Sequence, residues 1–258
     1  MTSIGNIFSM LLGGAVLCAC TPTKPATTAA SKHESTDLVG KPSDINARLC
    51  KEYIKEQNYQ VAMHKCEKAV AQDPNNSAAY AWKAILHQKL GQDKLALQHF
   101  ERAVALDPKD STIRNNFGAF LCQQKKIVEA ERELQLAIAD PLYESRDLAY
   151  ANLGVCLTAT NKAKAETAFQ SALELNAGLP VALIHMAELK YEQAQYLPAR
   201  VLVNRWRDAS PWTAKALWLA IRIESKLDNK DKVASYGLVL QARFPESDET
   251  KFYSLNAH

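Results

Sequence analysis

Glu67-Lys68-Ala69-Val70-Ala71-Gln72-Asp73-Pro74 returns 34 residues later as Glu101-Arg102-Ala103-Val104-Ala105-Leu106-Asp107-Pro108. A third copy closes in Leu136-Ala137-Ile138-Ala139-Asp140-Pro141, and a fourth carries Ser171-Ala172-Leu173-Glu174-Leu175-Asn176. The alanines at 69, 103, 137 and 172 therefore recur at intervals of 34, 34 and 35 residues. A fixed period of this length marks a stack of like supersecondary units, none of which buries its apolar face alone. Such a stack offers binding surface rather than an active site.

The period is that of the tetratricopeptide repeat (TPR), a helix-turn-helix unit, and the chain resembles that family position by position. The pattern asks for small residues where two helices approach closely and large ones to fill the holes opposite. The first repeat supplies Leu49, Cys50, Tyr53, Ala62, Cys66, Ala69 and Pro74, and the third Phe117, Gly118, Leu121, Ala130, Leu134 and Ala137. In the second, Ala84, His87, Ala96, Phe100 and Ala103 fit, while Lys83 stands where leucine is usual. An insertion, Leu142 to Arg146, precedes the fourth repeat, carried by Leu153, Gly154, Leu157, Ala165, Phe169 and Ala172. The fifth runs through Met186, Ala187, Tyr191, Ala199 and Val203 with Trp206 in place of alanine, and the sixth is drawn through Leu219, Ala220, Ile223, Ala234 and Leu238. The fold implied is all-α, a right-handed superhelical TPR solenoid of about six repeats over 43–248. Its repeats span 43–76, 77–110, 111–146, 147–178, 179–212 and 213–248, and residues 249–258 form a C-terminal tail.

The remaining N-terminal stretch reads differently. Ile4 to Leu17 is apolar, uncharged and short for a spanning helix of about 20 residues, as a signal peptide is. It ends in Leu17-Cys18-Ala19-Cys20, which resembles the lipobox of bacterial lipoproteins, although no Lys or Arg precedes it. That resemblance implies a signal peptide over 1–19 and covalent lipid on Cys20. It also implies retention at the outer membrane, since Thr21 rather than Asp follows the cysteine. More than one acyl chain gives stable anchoring. Residues 21–42, rich in Thr, Ala, Pro and Lys, hold too little apolar surface to fold and serve as a tether with a reach of ~25 Å.

Several chemistries are disfavoured. The net charge of +3, without a basic cluster interleaved with aromatics, gives no footing for nucleic acid. No glycine-rich phosphate loop is present. The six histidines show neither H-E-x-x-H nor an i,i+4 pair, so no metal site is expected, nor any cofactor beyond the lipid on Cys20. The segment Asn204 to Thr213 holds Trp206, Arg207, Asp208 and Ser210 without a paired nucleophile and base, so no enzyme is expected. Cys50 and Cys66 occupy facing small-residue positions. They are either bridged, in an oxidising compartment, or serve as small core hydrophobes. The groove positions on the first helix of each repeat read as Ala47, Lys51 and Ile54, then Ala81, Ile85 and Gln88, then Asn115, Ala119 and Cys122, then Ala151, Val155 and Thr158. They are mostly small and apolar, suited to a peptide or amphipathic helix.

More specific segments are Ile113-Arg114-Asn115-Asn116-Phe117-Gly118-Ala119-Phe120-Leu121, Pro141-Leu142-Tyr143, Asn152-Leu153-Gly154, Tyr196-Leu197-Pro198-Ala199-Arg200 and Ala234-Ser235-Tyr236-Gly237-Leu238. With the lipobox they resemble the type IV pilus biogenesis lipoproteins of the PilF/PilW kind, the pilotins. The resemblance implies a non-enzymatic, lipid-anchored monomer that binds the type IV pilus secretin and promotes its outer-membrane localisation and multimerisation. It places the binding surface among the first repeats, at Ile54, Ala81 and Ile85, and the groove positions extend it to Ala119 and Val155. The competing expectation is a TPR lipoprotein that scaffolds barrel assembly or peptidoglycan enzymes.

Overall fold

A computed structural model describes residues 40–256. The signal peptide, Cys20 and nearly all of the tether lie outside the described residues. Among the described residues thirteen helices follow one another: α1 (Pro42–Lys55), α2 (Tyr59–Gln72), α3 (Ser77–Lys89), α4 (Asp93–Leu106), α5 (Ser111–Gln123), α6 (Ile127–Ile138), α7 (Arg146–Leu157), α8 (Lys162–Leu175), α9 (Pro180–Glu192), α10 (Tyr196–Ala209), α11 (Ala214–Lys226), α12 (Lys230–Arg243) and α13 (Asp248–Asn256). Odd and even helices pair through α12 into six antiparallel hairpins, the helix A and helix B of a TPR.

Local chemistry sets where each helix starts and stops. The Asn58, Asn76, Asn161 and Asn229 side chains accept from the backbone N–H three residues on, and Asp110 and Thr213 cap in the same way. Each cap satisfies an N–H that the helix itself leaves without a partner. Five of the six A-to-B turns share one geometry. Asn58 N–H donates to the Tyr53 carbonyl at 2.9 Å, and Gln92 to His87, Lys126 to Leu121, Gln195 to Lys190 and Asn229 to Glu224 repeat the bond. This closure needs a left-handed residue, and the positions are Gln57, Gly91, Lys125, Ala194 and Asp228. Only one is glycine. A side chain there costs roughly 1–2 kcal/mol, partly offset by the greater freedom of an unfolded glycine. Ala194→Gly is therefore expected to stabilise the protein by about 0.5–1 kcal/mol, seen as a higher denaturant midpoint. A lower midpoint would refute this account of the turn.

In the first five hairpins one pairing recurs: Cys50 with Cys66, Ala84 with Phe100, Gly118 with Leu134, Gly154 with Phe169 and Ala187 with Val203. A Cβ added at Gly118 would meet Leu134 Cγ at 2.6 Å, and one at Gly154 would meet the Phe169 ring at 2.5 Å. The small residue is thus a hole shaped by the large one opposite. In the first repeat the pair is a disulfide, Cys50–Cys66, with Cα atoms 5.3 Å apart. Successive hairpins are tied at their ends. Asn76 donates to Ser43 Oγ (2.7 Å) and Asp44 (2.8 Å), Ser111 donates to Asp140 (2.7 Å), and Asn176 donates to Asp147 (2.9 Å). Buried Glu133 on α6 accepts from Arg114 on α5 and from Arg132, which pairs a carboxylate that burial would otherwise penalise.

The structure corrects the expected register of the sixth repeat. Its helix B presents Val233, Gly237 and Leu240 inward, the counterparts of Ala62, Cys66 and Ala69, whereas Ala234 and Leu238 face solvent. The pattern is one residue out because Val and Gly stand where it expects alanine and a large residue. Gly237 leaves a hole, and a Cβ there would lie 2.1 Å from the Tyr253 ring. Tyr253 belongs to α13. Residues 248–256, expected as part of a tail from 249, are therefore a helix packed on α11 and α12. Nine residues do not hold a helix alone in water; this docking gives α13 its partner.

His99 on α4 stacks on His87 at 5.1 Å and approaches Tyr80 at 6.0 Å. Burial, then Lys83 and His87, push its pKa down to about 4. The unfolded chain, titrating near 6.5, binds the proton more readily between those values. Stability is then full above about pH 6.5 and falls as pH drops toward 4, by about 1–2 kcal/mol once solvent screening at this half-buried ring is allowed for. His99→Gln should flatten that part of the stability profile relative to the wild type. Parallel profiles for the two proteins would rule the histidine out.

Candidate functional site

The packing order shows which face of the array is concave. Each helix A lies against the next helix A, as do α1 and α3, α3 and α5, α5 and α7, α7 and α9, and α9 and α11. Each helix B touches the following helix A, but among the described residues no helix B reaches the next helix B. The B helices fan apart, so the A helices line the inside of the bend.

Which side chains enter that groove follows from angles around each A helix. Taking the small residue that meets helix B as origin, a step of about 100° per residue puts the fourth residue after it at about 40° and the third before it at about 60°. Both share the packed face. The next residue lies at about 100° and the second before it at about 160°, which turns them toward the groove. Burial follows this order. Ala47, Ala81, Asn115 and Ala151, three before the small residue, are all buried. Ile54, four after it, is 7% exposed and packs with Cys50, Ala62, Cys66 and Leu86. Ile85 and Ala119, one after it, are half-buried, and Val155 is 36% exposed.

The five expected groove residues therefore divide. Ile85, Ala119 and Val155 line the concave strip. Ile54 and Ala81 do not, because each faces a neighbouring helix: Ala81, 4% exposed, packs with Ala103 and Ile113. The strip also includes Trp82, Asn116 and Asn152, at the second position before the small residue and each half-buried. Counting angles around the helix points to Trp82 and Asn152 from the sequence too. Lys51 lies over the Trp82 ring at 5.2 Å, Gln88 donates to Gln123 at 2.6 Å, and Asn152 donates to Asn115 at 3.0 Å. These contacts cross from one repeat to the next and hold the strip in shape.

Chemistry changes along the groove. Repeats one to four present Lys51, Trp82, Ile85, Ala119 and Val155, an apolar strip with amide edges. The junction of the fourth and fifth repeats presents charge: on α9 His185 meets Glu188 at 3.0 Å, and Lys162 on α8 meets Glu192 on α9 at 2.7 Å. Glu166 is held below the usual carboxylate range by hydrogen bonds from Lys190 and Gln193. Beside Val155 the free thiols Cys122 and Cys156 pair across α5 and α7. The hydrogen bond between them lowers the Cys122 pKa and raises that of Cys156, which keeps the proton. Among the described residues, no group of three or more His, Cys, Asp or Glu is placed to hold a metal ion. Asn204 to Thr213, which lacks a paired nucleophile and base in sequence, is the end of α10 and the turn after it. There Trp206 packs on Trp212 at 5.7 Å, and Trp212 on Tyr236 at 5.6 Å.

The tetratricopeptide repeat family matches residues 65–98, one full period that starts in α2 and ends in α4. The type IV pilus assembly protein PilF of Pseudomonas aeruginosa is 34% identical over 198 residues, 76% of this chain and 79% of that protein. The chain belongs to the PilF family. An uncharacterised Haemophilus influenzae protein is 32% identical over 114 residues, 44% of this chain and 64% of its own length. A solved structure of P. aeruginosa PilF superposes with a TM-score of 0.75 at 32% identity, covering 83% of this chain and 97% of that one. PilW, described as a widely conserved type IV pilus biogenesis factor, gives 0.76 at 28% identity over 83% and 98%. Membership accounts for the six hairpins and gives the concave strip of this PilF-family member its context.

Proposed function

We propose that this protein is a pilotin: a lipoprotein of the outer membrane that binds the type IV pilus secretin in its concave groove and promotes its localisation and multimerisation there. The observation that carries the reading is the 34% identity to PilF over 198 residues. The physical parts are consistent with it. Lipid on Cys20 gives the address, the residues from 21 up to the start of α1 at Pro42 give reach, and the strip at Ile85, Ala119 and Val155 gives an apolar seat for a segment of the partner. A solenoid with this role needs no reaction of its own, so the protein acts without catalysis.

Val155 is the residue on which to test it, because a charge there meets solvent rather than core. Val155→Asp is expected to leave the protein folded and membrane-bound while secretin multimers, read by immunoblot of membranes, fall several-fold. Unchanged multimers would remove the groove from the mechanism. Cys20→Ser should give a soluble, folded product and loss of piliation. Recovery of barrel-assembly or peptidoglycan enzymes, in place of secretin, from membrane extracts would favour the scaffold reading.

A further inference from the structure

A cavity of about 780 Å³ opens at the C-terminal end of the array, away from the strip in repeats one to four. Its size is within the range of sites that seat small ligands or peptide side chains. Its walls come from α11, α12 and α13, with Tyr191 at the end of α9 closing one side. The α13 wall stands where it does because the Tyr253 ring occupies the hole at Gly237.

The charge inside is one-sided. Arg222, Lys226 and Lys230 line the cavity against a single carboxylate, Asp228. Among the described residues none of these three cations has a carboxylate partner within salt-bridge distance, whereas Lys162, Lys164, Lys190, Arg200 and Lys232 all do. Arg222 instead lies over the Tyr191 ring, its guanidinium carbon 4.3 Å from the ring centre. Held in this way, its hydrogen-bonding fork is oriented before any anion arrives. Trp218 and Val233, both half-buried, supply apolar surface beside the cations.

We infer that this cavity is a second protein-docking site, and that it takes an extended peptide in which acidic residues alternate with aromatic or aliphatic ones. The spacing supports that occupant. Arg222 and Lys226 are one helical turn apart, about 6 Å along α11, and carboxylates two residues apart on an extended chain are separated by about 6.8 Å. Two carboxylates of one strand therefore reach both cations. The side chains between them turn the other way, toward Val233 on α12 and Tyr253 on α13, while Trp218, one turn before Arg222 on the same face of α11, flanks the strand. The inference does not rest on the pilus reading, since it uses neither the groove residues nor the lipid.

The test uses the full chain in mild detergent and a fluorescein-labelled peptide, Asp-Phe-Glu-Leu-Asp-Phe, followed by anisotropy. Saturable binding is expected, weakened at least tenfold by Arg222→Ala combined with Lys226→Ala, and lost for the peptide in which lysine replaces each acidic residue. Lys226→Glu alone, a change at an exposed side chain, should weaken it several-fold with an unaltered helical circular dichroism spectrum. Val155→Asp should leave the affinity unchanged, which separates this site from the groove. Absence of saturable binding, equal binding of the lysine peptide, or insensitivity to the Arg222 and Lys226 changes would overturn the inference. Loss on Val155→Asp would assign the peptide to the groove instead and overturn it as well.

Discussion

Replacing Cys50 and Cys66 together by alanine is expected to destabilise the N-terminal hairpin by about 3 kcal/mol and leave the distant repeats as they were. The bridge joins residues 16 apart in sequence. In the chain-entropy account, closing a loop of that length removes freedom from the unfolded state worth roughly 3 kcal/mol. The loss matters more here than in the middle of the array. The first hairpin has a neighbour on one side only, and its small cluster of Cys50, Ile54, Ala62, Cys66 and Leu86 is separate from the main core. A solenoid's stability is close to a sum of repeat and nearest-neighbour contributions, so the effect should stay local. Hydrogen exchange checks this directly. Amides of α1 and α2 should lose protection by roughly two orders of magnitude, those of α9 to α12 should not, and reductant added to the wild type should reproduce the pattern. Uniform loss along the chain, or unchanged protection in α1 and α2, would contradict it.

The second large effect is expected where Gly154 meets Phe169. Phe169 is fully buried, and Phe169→Ala should cost about 3–5 kcal/mol through lost transfer energy and the cavity left behind. Gly154→Ala should also destabilise, by about 1–3 kcal/mol, because the new methyl would sit 2.5 Å from a ring that the core holds in place. The informative measurement is the double variant. With the ring gone, the Gly154→Ala methyl occupies part of the cavity, so the double variant should be more stable than the sum of the two losses implies, by at least about 1 kcal/mol. Additive losses in denaturant unfolding would mean that the two positions do not form one contact. The same cycle at Gly118 and Leu134 should behave alike with smaller values, since a leucine side chain yields more readily than a ring.

Part of the groove is legible in the order of residues alone. Ile85, Ala119 and Val155 follow the close-packed small residue by one position, and helix geometry turns them off the packed face. Ile54 and Ala81 fall outside the groove for an equally plain reason. They lie within about 60° of that small residue around the helix axis, so they share its burial. The C-terminal end is harder. Val233 and Gly237 break the small-then-large pattern, and residues 248–256 have no repeat period to announce a helix. Only the Tyr253 ring lying on Gly237 explains both departures at once.

The period, the all-α hairpin unit and the alternation of small and large residues that packs helix A on helix B are written in the chain itself. These are properties of one helix or of neighbours joined by a short turn, so spacing along the sequence encodes them. Spacing also puts Cys50 and Cys66 on facing positions. Tertiary packing settles that they are bridged, which face of each A helix stays open, that α13 closes the stack, and that Arg222, Lys226 and Lys230 line one cavity with no carboxylate at salt-bridge distance among the described residues. Each of these depends on the direction from which a later helix approaches. A 34-residue period carries that direction only while the repeat holds, and at the C-terminal end it does not.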